Sequence, residues 1–155
     1  MRTVAKAPCG NGQAARKTSR GDCPEFTTKD GSTIRELMAY RNSGAVRMSL
    51  AEASLPPGGR TECHLHRETE EIYYFLEGKG RILAGDEYFD VGPGDAILHP
   101  PGVRHQTWNA GDARMVFLCC CAPAYEHDDT DILPDADPEK DSGRPTPPAS
   151  GVRRA

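Results

Sequence analysis

No run of apolar residues in this chain approaches the roughly 20 that a helix needs to cross a bilayer. The first 25 residues, MRTVAKAPCGNGQAARKTSRGDCPE, lack the hydrophobic stretch of a secretory leader. Both absences point to a soluble, cytoplasmic protein with no membrane partner. Positive charge is also short. Formal charge is −4 and the pI about 5.7, so the basic field that nucleic-acid backbones require is missing and nucleic acid is not an expected partner. None of the six cysteines forms a CxxC pair, which removes zinc-finger and thioredoxin-type readings. Cys119, Cys120 and Cys121 are consecutive. Neighbours on a strand point to opposite faces, so the triple cannot bridge internally and the three read as reduced thiols serving as small apolar residues, with a redox or ligand role for one of them as the alternative. No segment carries a 3.6-residue apolar period long enough for a central helix.

What is present is short apolar runs cut by Gly, Pro and Asp. FTTKDGSTIREL carries the turn pair Asp30-Gly31. AVRMSLAEASL, TECHLH, EIYYFLEG, GRILAG, EYFDVG, DAILHP, HQTWN and RMVFLCCC follow with brief connections. That spacing predicts an all-β sandwich or barrel. Residues 1–25 read as a flexible N-terminal arm, 26–125 as the single folded domain, and 126–155 as a C-terminal segment without order from about 134, where Pro, Asp and Ser dominate. Runs as apolar on both faces as IYYFL and MVFLCCC imply cover on each side, from a second sheet or from a partner copy in a homodimer.

The chemistry concentrates in HLHRETEEIYYF. His64 and His66, two apart on a strand, aim both imidazoles into one space while Leu65 points away. Two adjacent carboxylates, Glu70 and Glu71, open the next strand, and either sits near the histidine pair in sequence. Only Glu71 shares a strand face with Tyr73 and Phe75. Another histidine, His105, opens a later strand after the Pro-Gly turn in GDAILHPPGVRHQTWN.

These residues fall into the register of two motifs, and the chain resembles a small single-domain cupin. Glycine, five residues, His-x-His, four residues, glutamate, six residues, glycine is filled by Gly58, His64, His66, Glu71 and Gly78. Glycine, five residues, Pro-x-Gly, two residues, histidine, three residues, asparagine is filled by Gly94, Pro100, Gly102, His105 and Asn109. The resemblance implies a jelly-roll barrel and a metal site of His64, His66, Glu71 and His105, with Glu70 left to solvent. Three imidazoles and a carboxylate suit one divalent transition ion, Fe(II) first and Mn(II), Ni(II), Zn(II) or Co(II) behind it.

The implied activity is that of a metal-dependent enzyme on a small oxygenated metabolite, with an Fe(II) oxygenase or dioxygenase favoured. The alternatives are a non-redox Lewis-acid isomerase, lyase or polyketide cyclase, and a binder without turnover. Tyr73, on the Glu71 face, and His99, before the Pro-Pro turn, are the candidate proton-transfer residues. Thr107 is expected to line the pocket, Gln106 and Trp108 to lie outside it, and His127 to be exposed on a segment able to close over the barrel mouth.

Overall fold

The computed structural model describes residues 15–137. Eleven strands follow one another: β1 Glu25–Thr27, β2 Thr33–Met38, β3 Ser49–Leu55, β4 His64–His66, β5 Glu70–Glu77, β6 Gly80–Ala84, β7 Glu87–Val91, β8 Ala96–His99, β9 His105–Asn109, β10 Met115–Ala122 and β11 Thr130–Ile132. They form two antiparallel sheets, ordered β1-β2-β3-β10-β5-β8 and β11-β4-β9-β6-β7, a jelly-roll sandwich as the sequence implies. Among the described residues the only helical turns are two of three residues each, at Arg20–Asp22 and His127–Asp129.

Alternation builds the interior. Along β5, Glu71, Tyr73 and Phe75 are buried while Glu70, Ile72 and Tyr74 are exposed. Across from them, β10 buries Phe117, Cys119 and Cys121. Phe75, Phe117, Ile82, Leu55 and Met115 close the end of the sandwich away from the histidines. The turn glycines hold this register. Gly78 has φ of +81°, and a Cβ there would come within 2.7 Å of Met115 Cα, so the motif glycine is required by both backbone angle and packing.

The second sheet covers the inner face of β5, but Ile72, Tyr74, Leu76 and Leu98 stay between 39% and 51% exposed on the outer face. The described part of the N-terminal segment packs: Arg20 pairs with Glu52 at 2.7 Å and Arg35 donates to the Cys23 carbonyl. At the other end, β11 pairs with β4 (Thr130 opposite His66). Beyond it, Asp135 accepts from Gln106 Nε2 and the Ala136 N–H donates to Gln106 Oε1. Gln106 therefore faces outward, as its strand parity requires, yet is fully buried beneath the chain that follows β11. The rest of both expected terminal segments, 1–14 and 138–155, lies outside the described residues.

Candidate metal centre

Four side chains from three strands meet inside one end of the sandwich. β4 supplies His64 and His66, β5 supplies Glu71, and β9 supplies His105, which is in register with His64. All four are buried, and their ligand atoms lie within 4.8 Å of one another. The exposed Glu70 takes no part, as parity demands.

The hydrogen bonds on the far side of each ring decide what faces inward. His64 Nδ1 lies 2.8 Å from the Glu62 carbonyl and His105 Nδ1 lies 3.1 Å from the Val103 carbonyl. A carbonyl can only accept, so each Nδ1 carries the proton. His66 Nδ1 sits 3.1 Å from Thr130 Oγ1, whose own proton goes to the Glu126 carbonyl, and the same tautomer follows. Three Nε2 lone pairs are thereby turned toward Glu71, whose Oε2 lies 3.1 Å from His66 Nε2 and 3.2 Å from His105 Nε2.

Edges of about 3 Å are what ligand atoms about 2.1 Å from one ion make at right angles. A buried convergence of acceptors with no donor among them is a destabilising arrangement unless a cation sits between. The residues thus fit a metal ion. Electrostatics agree: burial raises the Glu71 carboxyl, but the His105 and His66 rings beside it outweigh that and hold the group well below the ordinary carboxylate range. Burial and the neighbouring His105 push His64 down to about 4, which keeps its lone pair free at neutral pH.

A cavity with about 540 Å³ of empty space, mouth included, opens onto this group. Tyr73 is on its wall, with its ring 4.8 Å from that of His99 and 4.7 Å from that of Phe117. Burial pushes the Tyr73 phenol well up, so it stays a donor. His99 is inside the barrel but behind the metal group, stacked on His105 at 4.1 Å and absent from the cavity wall. Thr107 is buried but does not line the cavity either, contrary to expectation. The strand carries it past the histidines into the barrel interior, where its Oγ1 has no hydrogen-bond partner. His127 is exposed, and its segment does reach the mouth: the Tyr125 ring lies 5.8 Å from that of His66.

Both nitrogens of His99 are buried without a hydrogen-bond partner, and burial pushes its pKa down to about 2. The unfolded chain binds a proton at this residue below about pH 6.5 and the folded protein does not, so stability falls as pH drops below that value. His99→Phe keeps the stacked ring and removes this loss. Urea unfolding of metal-depleted protein between pH 5.5 and pH 4.5 is expected to show a slope shallower than wild type by roughly 1.3 kcal/mol per pH unit. An unchanged slope would mean that His99 is protonated, or hydrated, in the fold.

Sequence reasoning missed three contributors. Cys121 is directly opposite Glu71 across the β10–β5 pair and its Sγ donates to Glu71 Oε1 at 3.2 Å. Burial pushes this thiol well up, so it acts as a donor to Oε1 and leaves Oε2 facing the histidines. Thr130 orients His66. Asp30, read as half of a turn pair, is buried at the cavity wall with Oδ2 4.0 Å from His64 Nε2.

A family model described as a cupin domain matches residues 51–121. An uncharacterized protein of Methanocaldococcus jannaschii, MJ1618, is 44% identical over 117 residues, covering 76% of this chain and 94% of its own. The polyketide synthase protein CurC of Streptomyces cyaneus is 33% identical over 136 residues, covering 80% and 88%. The solved structure of the polyketide cyclase RemF from Streptomyces resistomycificus is 29% identical, with a TM-score of 0.60 and coverage of 70% and 80%. Among the described residues no helix is long and apolar enough to cross a membrane.

Proposed function

The chain belongs to the cupin family, and from that premise we propose that it is a metal-dependent enzyme acting on a small oxygenated metabolite by non-redox chemistry of the cyclase, lyase or isomerase type. The observation that carries the proposal is the convergence of three Nε2 lone pairs and one carboxylate, with His64, His66 and Glu71 on the wall of a cavity that also holds the protonated Tyr73 phenol. A divalent transition ion bound there supplies Lewis acidity to a carbonyl or enol oxygen. The protein residues do the rest. Tyr73 offers its O–H to an oxygen developing negative charge. Cys121 and Thr130 keep Glu71 and His66 aimed, and Phe26, Ile34 and Tyr125 screen the cavity from water.

The similarity to CurC and RemF supports this choice over the Fe(II) oxygenase that the sequence favoured. One experiment separates the two. Protein reconstituted with Zn(II), Mn(II) or Co(II) under nitrogen is expected to turn over oxygenated aromatic or polyketone substrates, and Tyr73→Phe to lower the rate ~10²-fold, the usual contribution of a positioned acid. Turnover that requires Fe(II) and dioxygen together, with an inert zinc form, would return the oxygenase reading.

We also propose that two copies associate through the outer face of β5 and β8, where Ile72, Tyr74, Leu76 and Leu98 form an exposed apolar surface. Light scattering at micromolar concentration is expected to give twice the chain mass. A monomer would refute the dimer.

A further inference from the structure

We infer that Asp30 selects the ligand of this site, turning the cavity toward uncharged, hydroxyl-bearing molecules and against anions. The inference rests on the metal-centre reading above and adds the class of molecule that the centre accepts.

The geometry begins at the hairpin between β1 and β2. The Asp30-Gly31 pair makes its tip, with Gly31 at φ +81°, and the tip folds against the β4 entry, where the Glu62 N–H donates to the Asp30 carbonyl at 2.7 Å. This brings the Asp30 side chain into the cavity wall. Its Oδ1 receives Thr28 Oγ1 at 2.5 Å, Ser32 Oγ at 2.8 Å and the Ser32 N–H at 3.1 Å. Three donors on one oxygen fix the carboxylate's orientation, so Oδ2 is held facing His64 Nε2 at 4.0 Å, beyond hydrogen-bond distance. A carboxylate oxygen fixed beside a metal centre, and outside the group whose ligand atoms lie within 4.8 Å of one another, is placed to accept a proton-bearing group from a molecule bound at that centre.

Charge makes the site selective. Three carboxylates, Asp30, Glu36 and Glu71, line the cavity, and among the described residues that line it none is Lys or Arg. Glu36 is offset by Arg41 at 3.6 Å, while a divalent ion on three neutral imidazoles and Glu71 would keep one positive charge, which the neighbouring Asp30 carboxylate cancels. Asp30 forms no ion pair with a Lys or Arg among the described residues, and the adjacent Lys29 is turned away, donating to the Thr130 carbonyl. A ligand carrying its own carboxylate or phosphate would meet this charge a few Å away in a partly buried site with no arginine to receive it. A phenol or alcohol beside a ketone meets an acceptor instead.

Two probes of one shape isolate the effect: ortho-hydroxyacetophenone and salicylate share a ring and a phenol, and differ in methyl ketone against carboxylate. Binding is read by calorimetry, and by the visible absorption of the Co(II)-loaded protein. Asp30→Asn is expected to weaken ortho-hydroxyacetophenone several-fold and tighten salicylate, moving the ratio of the two affinities by ~10-fold or more. Asp30→Ser, which removes the charge without turning an amide N–H toward the cavity, is expected to move the ratio the same way and serves if the Asn variant does not fold. Metal content is measured first for every variant. A ratio unchanged in metal-loaded variants overturns the role of Asp30 and leaves the metal centre standing. Failure of metal-loaded wild type to bind ortho-hydroxyacetophenone at millimolar concentration overturns the ligand class. Wild-type protein that takes up no metal takes both readings down together.

Discussion

His66→Ala is expected to leave the protein without stoichiometric metal. His66 provides one of the four converging ligand atoms, and its Nε2 is also one of the two nitrogens closest to Glu71 Oε2. The two polar groups that flank its ring do not replace it: Thr130 Oγ1 is on the far side of the ring, and Tyr125, which stacks edge-on against it, is a protonated phenol pushed up to about 12, chiefly by burial. Loss of an orienting partner alone costs metal sites about 10- to 100-fold in affinity, and loss of the ligand itself costs more. Elemental analysis after dialysis against a weak chelator checks this. Full occupancy in the variant would show that the ion is held elsewhere.

Glu71→Gln is expected to weaken metal binding ~10²-fold or more while Glu70→Gln leaves it unchanged. The two residues are adjacent in sequence and opposite in consequence, because successive side chains on β5 face opposite sides of the sheet. Glu71 is 3% exposed and surrounded by His66, His105 and Cys121. The glutamine amide would keep the size, lose the charge, and set an N–H group against three nitrogen lone pairs and a thiol. Glu70 is exposed. Titration of both variants with Zn(II) against a competing chelator gives the comparison, and equal losses would mean that the strand register is wrong.

Much of this centre is legible in the chain because a strand's period of two is a strong constraint. His64 and His66 share a face for that reason alone, and so do Glu71 and Tyr73. His105 needed the second motif, since nothing local ties residue 105 to residue 64. The unreadable parts are those set by pairing between distant segments. Asp-Gly is a turn signal whose aspartate ordinarily faces water, and only the docking of the β1–β2 hairpin on the β4 entry moves Asp30 into the cavity. Cys121 reads as a small apolar residue until the β10–β5 register sets it opposite Glu71. His99 follows its parity into the barrel, but parity does not say how deep, and the His105 ring lies against it. The strands themselves are marked by their Gly, Pro and Asp boundaries. The order in which they pair, including β11 on β4, follows from contacts that no window of sequence contains.

The proposed centre holds a single ion by three imidazole nitrogens and one carboxylate oxygen. X-ray absorption at the metal edge of protein reconstituted with one equivalent of Zn(II) tests it most directly. The structure predicts light-atom scattering only, at about 2.0–2.2 Å, with the outer-ring signal of three histidines. A sulfur shell at about 2.3 Å would contradict it, because the ion would then be bound by Cys121 or another thiol rather than by the cluster that the two sequence motifs bring together.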